Sequence, residues 1–240
     1  MKYNRRVEPQ TLPLDQQGIL GLSLMLLLAI NFTINYLLFT YYSDSITSVT
    51  GTGFWMLIAN NALMAAIVYI NKQEMNWSWE DLGLAKPTSW WKPLLITIAL
   101  FLTLVLFTRY VQPLWADLIN TNAISMLDDI QGDLSKLIIS LIILWITAGF
   151  LEELIFRAFL INALEQFLGN STWSLWGAVG ISSVIFGLIH AYQGIGGILT
   201  TTGLGLIFGI AYVINGRRIW PLIFIHGLID TITMINIYNS

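Results

Sequence analysis

The sequence predicts an all-α protein, a polytopic transmembrane helix bundle of about seven spans with one short interfacial helix. Three observations lead there. Apolar residues make up 56% of the chain and charged residues only 10%, against about 25% charged in ordinary soluble domains. Mean hydropathy is +0.70. The apolar residues also gather into stretches of about 20, the length a helix needs to cross the hydrocarbon core. Residues 1–240 read as one membrane domain, with no fixed-period repeat and no low-complexity tract.

The first stretch, about 18–40, follows Lys2, Arg5 and Arg6. It lacks a small-residue cleavage pattern, so it reads as a retained helix rather than a secretory leader. The second, about 54–71, carries Asn60 and Asn61, expected to hydrogen-bond between helices. The third covers about 91–111. Residues 113–131 include "DDIQGD" and are too polar to span, so a loop with a short interfacial helix is expected. The remaining stretches are about 136–166, 173–195, 198–214 and 219–238. Gly205 and Gly209 form a GxxxG pattern suited to close helix contact.

Lysine and arginine asymmetry sets the orientation. With the N-terminus in the cytoplasm, Lys72, Lys86, Lys92, Arg217 and Arg218 join the N-terminal cations on that side. Asp44, Asp117, Asp128, Asp129 and Asp133 fall outside, with Arg109 and Lys136 as exceptions near span ends. Trp77, Trp79, Trp90, Trp91 and Trp220 mark the inner boundary as an aromatic belt. The expected setting is a bacterial plasma membrane, with the lipid bilayer itself as a partner. A net charge of −3 and the lack of a basic stripe argue against nucleic acid as a partner. The absence of cysteine excludes disulfides, a thiol nucleophile, thiolate metal ligands and prenylation of this chain itself.

Chemistry concentrates in three places. In "EELIFR", Glu152 and Glu153 precede Arg157 inside the fourth span, where each charge costs about 2.5–3.5 kcal/mol to insert. Glu153 and Arg157 are four apart and share a helix face, whereas Glu152 is turned away by about 100°. An ion pair that merely holds the bundle accounts for Glu153 and Arg157 and leaves Glu152 without a role. Glu165, farther along, reads as solvated or interfacial. The only histidines are His190, in "FGLIH", and His226, in "HGLID". Taken alone, a histidine on an apolar face is a packing residue. Asp230, four residues after His226, is spaced to hydrogen-bond to it and fix its tautomer. If the three spans converge, Glu152, Glu153, His190, His226 and Asp230 share one pocket, a constellation for activating water. Ser182 and Ser183 read as helix-packing residues. No His-Glu-x-x-His zinc motif occurs.

"EELIFR", "FGLIH" and "HGLID" together resemble the motifs EExxxR, FxxxH and HxxxN/D of the CPBP family, the CAAX proteases and bacteriocin-processing (Abi) proteins. "EDLGL" at 80–84 and "NGRRIWPLIFIH" are similar to segments that accompany them, so the likeness spans about 80–238. The resemblance implies an intramembrane endopeptidase acting on a peptide or membrane-protein substrate near the cytoplasmic interface. It implies Glu152 as general base with His190, Glu153 with Arg157 as the supporting pair, and His226 with residue 230 at the oxyanion. Residue 230 is Asp here where prenyl-processing members carry Asn, and an ionised Asp cannot donate to an oxyanion. It leaves two versions of the site open: metal-free, or one divalent ion such as zinc on Glu152, His190 and His226. The residues by themselves also permit a proton-coupled transporter, though no inverted repeat is seen, and a non-catalytic immunity or scaffold protein. One expectation concerns depth. A fifth span running from Trp173 would carry His190 to the outer face, away from Glu152. Convergence requires either an interfacial 173–182 or the "QGIGG" turn placed within the membrane.

Overall fold

In hydrocarbon every backbone N–H and C=O needs an internal partner, and a continuous helix is the simplest way to supply one. The computed structural model describes residues 14–41, 51–119 and 130–240, and the described residues are helical with short connections. The helices are α1 (Leu14–Tyr41), α2 (Thr52–Glu74), α3 (Trp91–Leu118), α4 (Leu134–Phe167), α5 (Thr172–Leu188), α6 (Gly194–Ile214) and α7 (Trp220–Asn239). Lys2, Arg5, Arg6, Asp44, Asp128 and Asp129, on which part of the orientation argument rests, lie outside the described residues.

Six of these helices are long and apolar enough to cross a membrane; α5 is the exception. Its 17 residues reach only about 26 Å, short of a hydrocarbon core of about 30 Å. The expected span 173–195 is thus a shorter helix. The chain leaves it at His190, makes a single 3-10 turn over Ala191–Gln193, and starts α6 at Gly194. Gly194 has φ 79°, a left-handed conformation that glycine adopts without steric cost. The turn at this glycine-rich stretch leaves His190 lining the same cavity as Glu152. α3 is longer than expected. It widens to π-helical turns over Phe107–Val111 and tightens to a 3-10 helix over Gln112–Leu118, where Trp115 Nε1 donates to Thr200 Oγ1 of α6 at 2.8 Å.

α4 runs through the centre. Residues 153–163 are buried without interruption, so this stretch is enclosed on all sides rather than along one stripe. α5 and α6 form a hairpin whose contact uses the small residues. Ser182 Oγ donates to Phe156 O of α4 at 2.7 Å, while Gly205 lies against Ser183 and Gly209 against Val179. The serines and the GxxxG pair therefore do pack helices together. α7 crosses α4 at Gly227, where a Cβ would stand 2.7 Å from the Trp145 ring. Trp145 Nε1 in turn donates to Thr231 Oγ1 at 3.1 Å.

At the other end of α7 the Glu80–Leu84 turn docks on the α6–α7 connection. Ile219 N donates to Gly83 O at 3.1 Å, and Trp220 Nε1 donates to Ala85 O at 3.1 Å. Gly83 sits at φ 76°, and a Cβ there would come 2.8 Å from Arg217 O. Glu165 is not solvated. It is buried and accepts two hydrogen bonds from Arg217, at 2.6 and 2.8 Å. Burial works against the Arg217 charge, but the bonds to Glu165 more than offset it and hold the guanidinium pKa above its ordinary value. The same guanidinium donates to Asn162 Oδ1 at 2.8 Å, so α4 and the α6–α7 turn are tied together.

Candidate active site

Between Trp145 and Leu160, α4 is π-helical. The widened turn is a local feature often found where a helix presents functional groups. Here the two adjacent glutamates face different neighbours. Glu153 is fully buried, and Arg157 Nη1 donates to its Oε1 at 3.0 Å. The Arg157 guanidinium lies over Phe186 of α5, 4.3 Å from the ring centroid, and 5.1 Å from that of Phe208 of α6. The cation is thus sandwiched by aromatic faces as well as paired.

His226 of α7 joins this pair. Its Nδ1 donates to Glu153 Oε1 at 2.7 Å. The carboxylate that fixes the His226 ring is therefore Glu153, not Asp230 as the spacing within α7 suggested. Asp230 Oδ2 stands 3.8 Å from His226 Nε2, too far for a direct hydrogen bond. Glu152 Oε2 is 4.0 Å from the same nitrogen. Nε2 is consequently flanked by two carboxylates, neither in direct contact, at spacings that one bridging water closes.

Glu152 faces a cavity of about 80 Å³, large enough for several water molecules. His190 and Tyr192, from the α5–α6 turn, line it together with residues of α1 and α2. His190 Nδ1 lies 2.8 Å from Phe186 O. A carbonyl only accepts, so Nδ1 carries the hydrogen and Nε2 keeps its lone pair. The structure thus brings Glu152 beside both histidines: it shares the cavity with His190 and flanks His226. All six residues singled out in the three motifs, Glu152, Glu153, Arg157, His190, His226 and Asp230, belong to one region built from α4, the α5–α6 turn and α7.

Tyr192, Asn31, Asn35, Asn60 and Asn61 also line the cavity and were not among the expected site residues. Asn60 and Asn61 were expected to bond across helices. Instead Asn61 Nδ2 donates to Leu57 O within α2 at 3.0 Å, and the buried Asn60 Oδ1 has no hydrogen-bond partner among the described residues. The density of asparagine in two apolar helices was the available signal.

Among the described residues, no three histidine, cysteine, aspartate or glutamate side chains are grouped so as to hold a metal ion. Glu152, His190 and His226 are neighbours rather than a preformed zinc centre, whose ligand bonds measure about 2.0–2.2 Å.

Residues 134–232 match the family model described as type II CAAX prenyl endopeptidase Rce1-like, which is the CPBP family. The matched segment begins at the start of α4 and ends within α7, and it holds all six motif residues. The match supports an intramembrane protease. No curated protein and no solved structure gives a significant match.

Proposed function

With residues 134–232 taken as a CPBP segment, we propose that the chain is an intramembrane endopeptidase in which Glu152 activates water against a peptide bond. The observation that carries this reading is the position of Glu152. Among the described residues it is the one acidic side chain that both lines the cavity and stands beside the ring nitrogen of His226.

The steps follow from the tautomers. Glu152 takes a proton from a cavity water, and the water oxygen attacks the scissile carbonyl carbon. His190 Nε2, with its lone pair exposed, accepts a hydrogen bond from the other water O–H, which stays on the oxygen, and aims the attack. As the C–N bond breaks, Glu152 passes its proton to the departing amine. One water is consumed, and one carboxylate and one protonated amine form, the second proton coming from the product acid. His226, carried as the imidazolium, keeps Nδ1–H on Glu153 and donates Nε2–H to the oxyanion; Arg157 neutralises Glu153. Asp230 supplies a counter-charge to that ring; in its ionised form it donates nothing. The substrate is a peptide or membrane-protein segment reached from the cytoplasmic side.

The test uses the purified full chain in detergent with internally quenched peptides. Glu152→Ala and His190→Ala each lower kcat by about 10²–10⁴ while the melting temperature stays near that of the native chain. Cleavage at the native rate by either variant defeats the reading. Running each assay with a strong chelator addresses the metal: activity that persists supports the metal-free version, and loss reversed by added zinc supports a zinc ion on Glu152, His190 and His226.

A further inference from the structure

The wall of the cavity opposite Glu152 comes from helices that precede the family-matched segment. Asn31 and Asn35 of α1 and Asn60 and Asn61 of α2 all face the same space as Glu152 and His190. Four carboxamides within the apolar middle stretches of two helices are costly unless they meet partners. They do not hold α1 to α2 through the bonds they make. Asn35 Nδ2 donates to Asn31 O and Asn31 Oδ1, both at 2.8 Å, and Asn61 Nδ2 donates to Leu57 O. These bonds run within their own helices. Asn60 is 5% exposed, and its Oδ1 is buried without a partner. A buried acceptor left unpaired is destabilising, because it has given up water for nothing. An orphan of this kind, on the wall of a cavity that holds a candidate base, points to a ligand donor.

The chemistry of the wall says which donor. A carboxamide both accepts and donates, as a peptide unit does, and it carries no charge. Among the described residues no lysine or arginine lines the cavity to balance a free C-terminal carboxylate, and Glu152 would repel one. The cavity is also too small for a folded partner.

We propose that the asparagine wall is a subsite for the backbone of the substrate, in which Asn60 Oδ1 accepts from a substrate N–H and lays an uncharged, extended stretch of chain across Glu152. This rests on the endopeptidase reading and deepens it. The substrate class is an internal peptide segment, with the cut well away from a free carboxylate end.

Two measurements test the subsite. In the first, quenched peptides of one sequence, ending either in a carboxylate or in an amide close to the cut, are compared on the native chain, Asn60→Ala and Asn60→Gln. One neutral hydrogen bond is worth about 3–10-fold in affinity. Asn60→Ala raises KM by about that factor with kcat within about twofold, Asn60→Gln recovers part of the loss, and the native chain prefers the amide-ended peptide. An unchanged KM in a normally folded Asn60→Ala, or a preference for the carboxylate end, overturns the proposal. The second measurement is binding of the labelled amide-ended peptide to Glu152→Gln, with and without Asn60→Ala, by fluorescence anisotropy. It reads the subsite without turnover. Weaker binding in the double variant supports the subsite even if no peptide is cut, in which case only the catalytic reading fails. Equal binding, or none, overturns the subsite and leaves that reading standing.

Discussion

Glu153 has no exposed surface, and its Oε1 serves two partners at once, Arg157 at 3.0 Å and His226 at 2.7 Å. Removing one member of a buried pair leaves the other charge uncompensated, at a cost of about 3–5 kcal/mol. Arg157→Ala is therefore expected to lose about that much stability. Arg157→Lys is expected to recover only part, because an ammonium keeps the charge but cannot present a flat face to Phe186 and Phe208. Thermal melting in detergent checks both, and an Arg157→Ala protein that melts with the native one contradicts the account. The Glu153–Arg157 contact was legible in the sequence because spacing of four on one helix fixes it. The contact between Glu153 and His226 was not. It spans 73 positions, and it depends on where α4 and α7 cross. Glu165 escaped for a similar reason: its partner Arg217 lies on a turn, where helical periodicity says nothing about reach.

Elements explain why the site assembles. Gly227 lets α7 settle on Trp145, which brings His226 level with Glu153, one residue earlier in the chain. The α5–α6 turn returns His190 to the cavity. Both follow from local features, a glycine at a close approach and a glycine-rich turn, that were visible in the sequence without their consequence being readable. Helix number was nearly legible from hydropathy alone. The exception, α5, ends at Leu188 because the chain turns before the apolar run does. The docked Glu80–Leu84 turn also bears on orientation, since it joins Lys86 to the end that carries Arg217 and Arg218. We propose that this end is cytoplasmic, as cation asymmetry implies. Because the chain has no cysteine of its own, Lys86→Cys gives a single reporter at an exposed position. In intact cells it is expected to resist a membrane-impermeant maleimide and to react after permeabilisation. Labelling in intact cells contradicts the orientation.

At the scale of the whole molecule, two parts meet at one cavity. The family-matched segment 134–232 supplies the acid, the two imidazoles and their supports, while α1 and α2 supply an uncharged polar wall. Three motifs in order named the first part, since each is a short pattern on one helix. The second left no motif, only asparagines in apolar surroundings, so its place in the site emerged from packing. The central claim is that Glu152 directs water onto a peptide bond. Peptide cleavage in ¹⁸O-enriched water, followed by mass spectrometry, tests it most directly. The account predicts one ¹⁸O in the new carboxylate of the native chain's product, and no labelled product above background from a folded Glu152→Gln variant. Labelled product from Glu152→Gln at the native rate, or native product without the label, would contradict it.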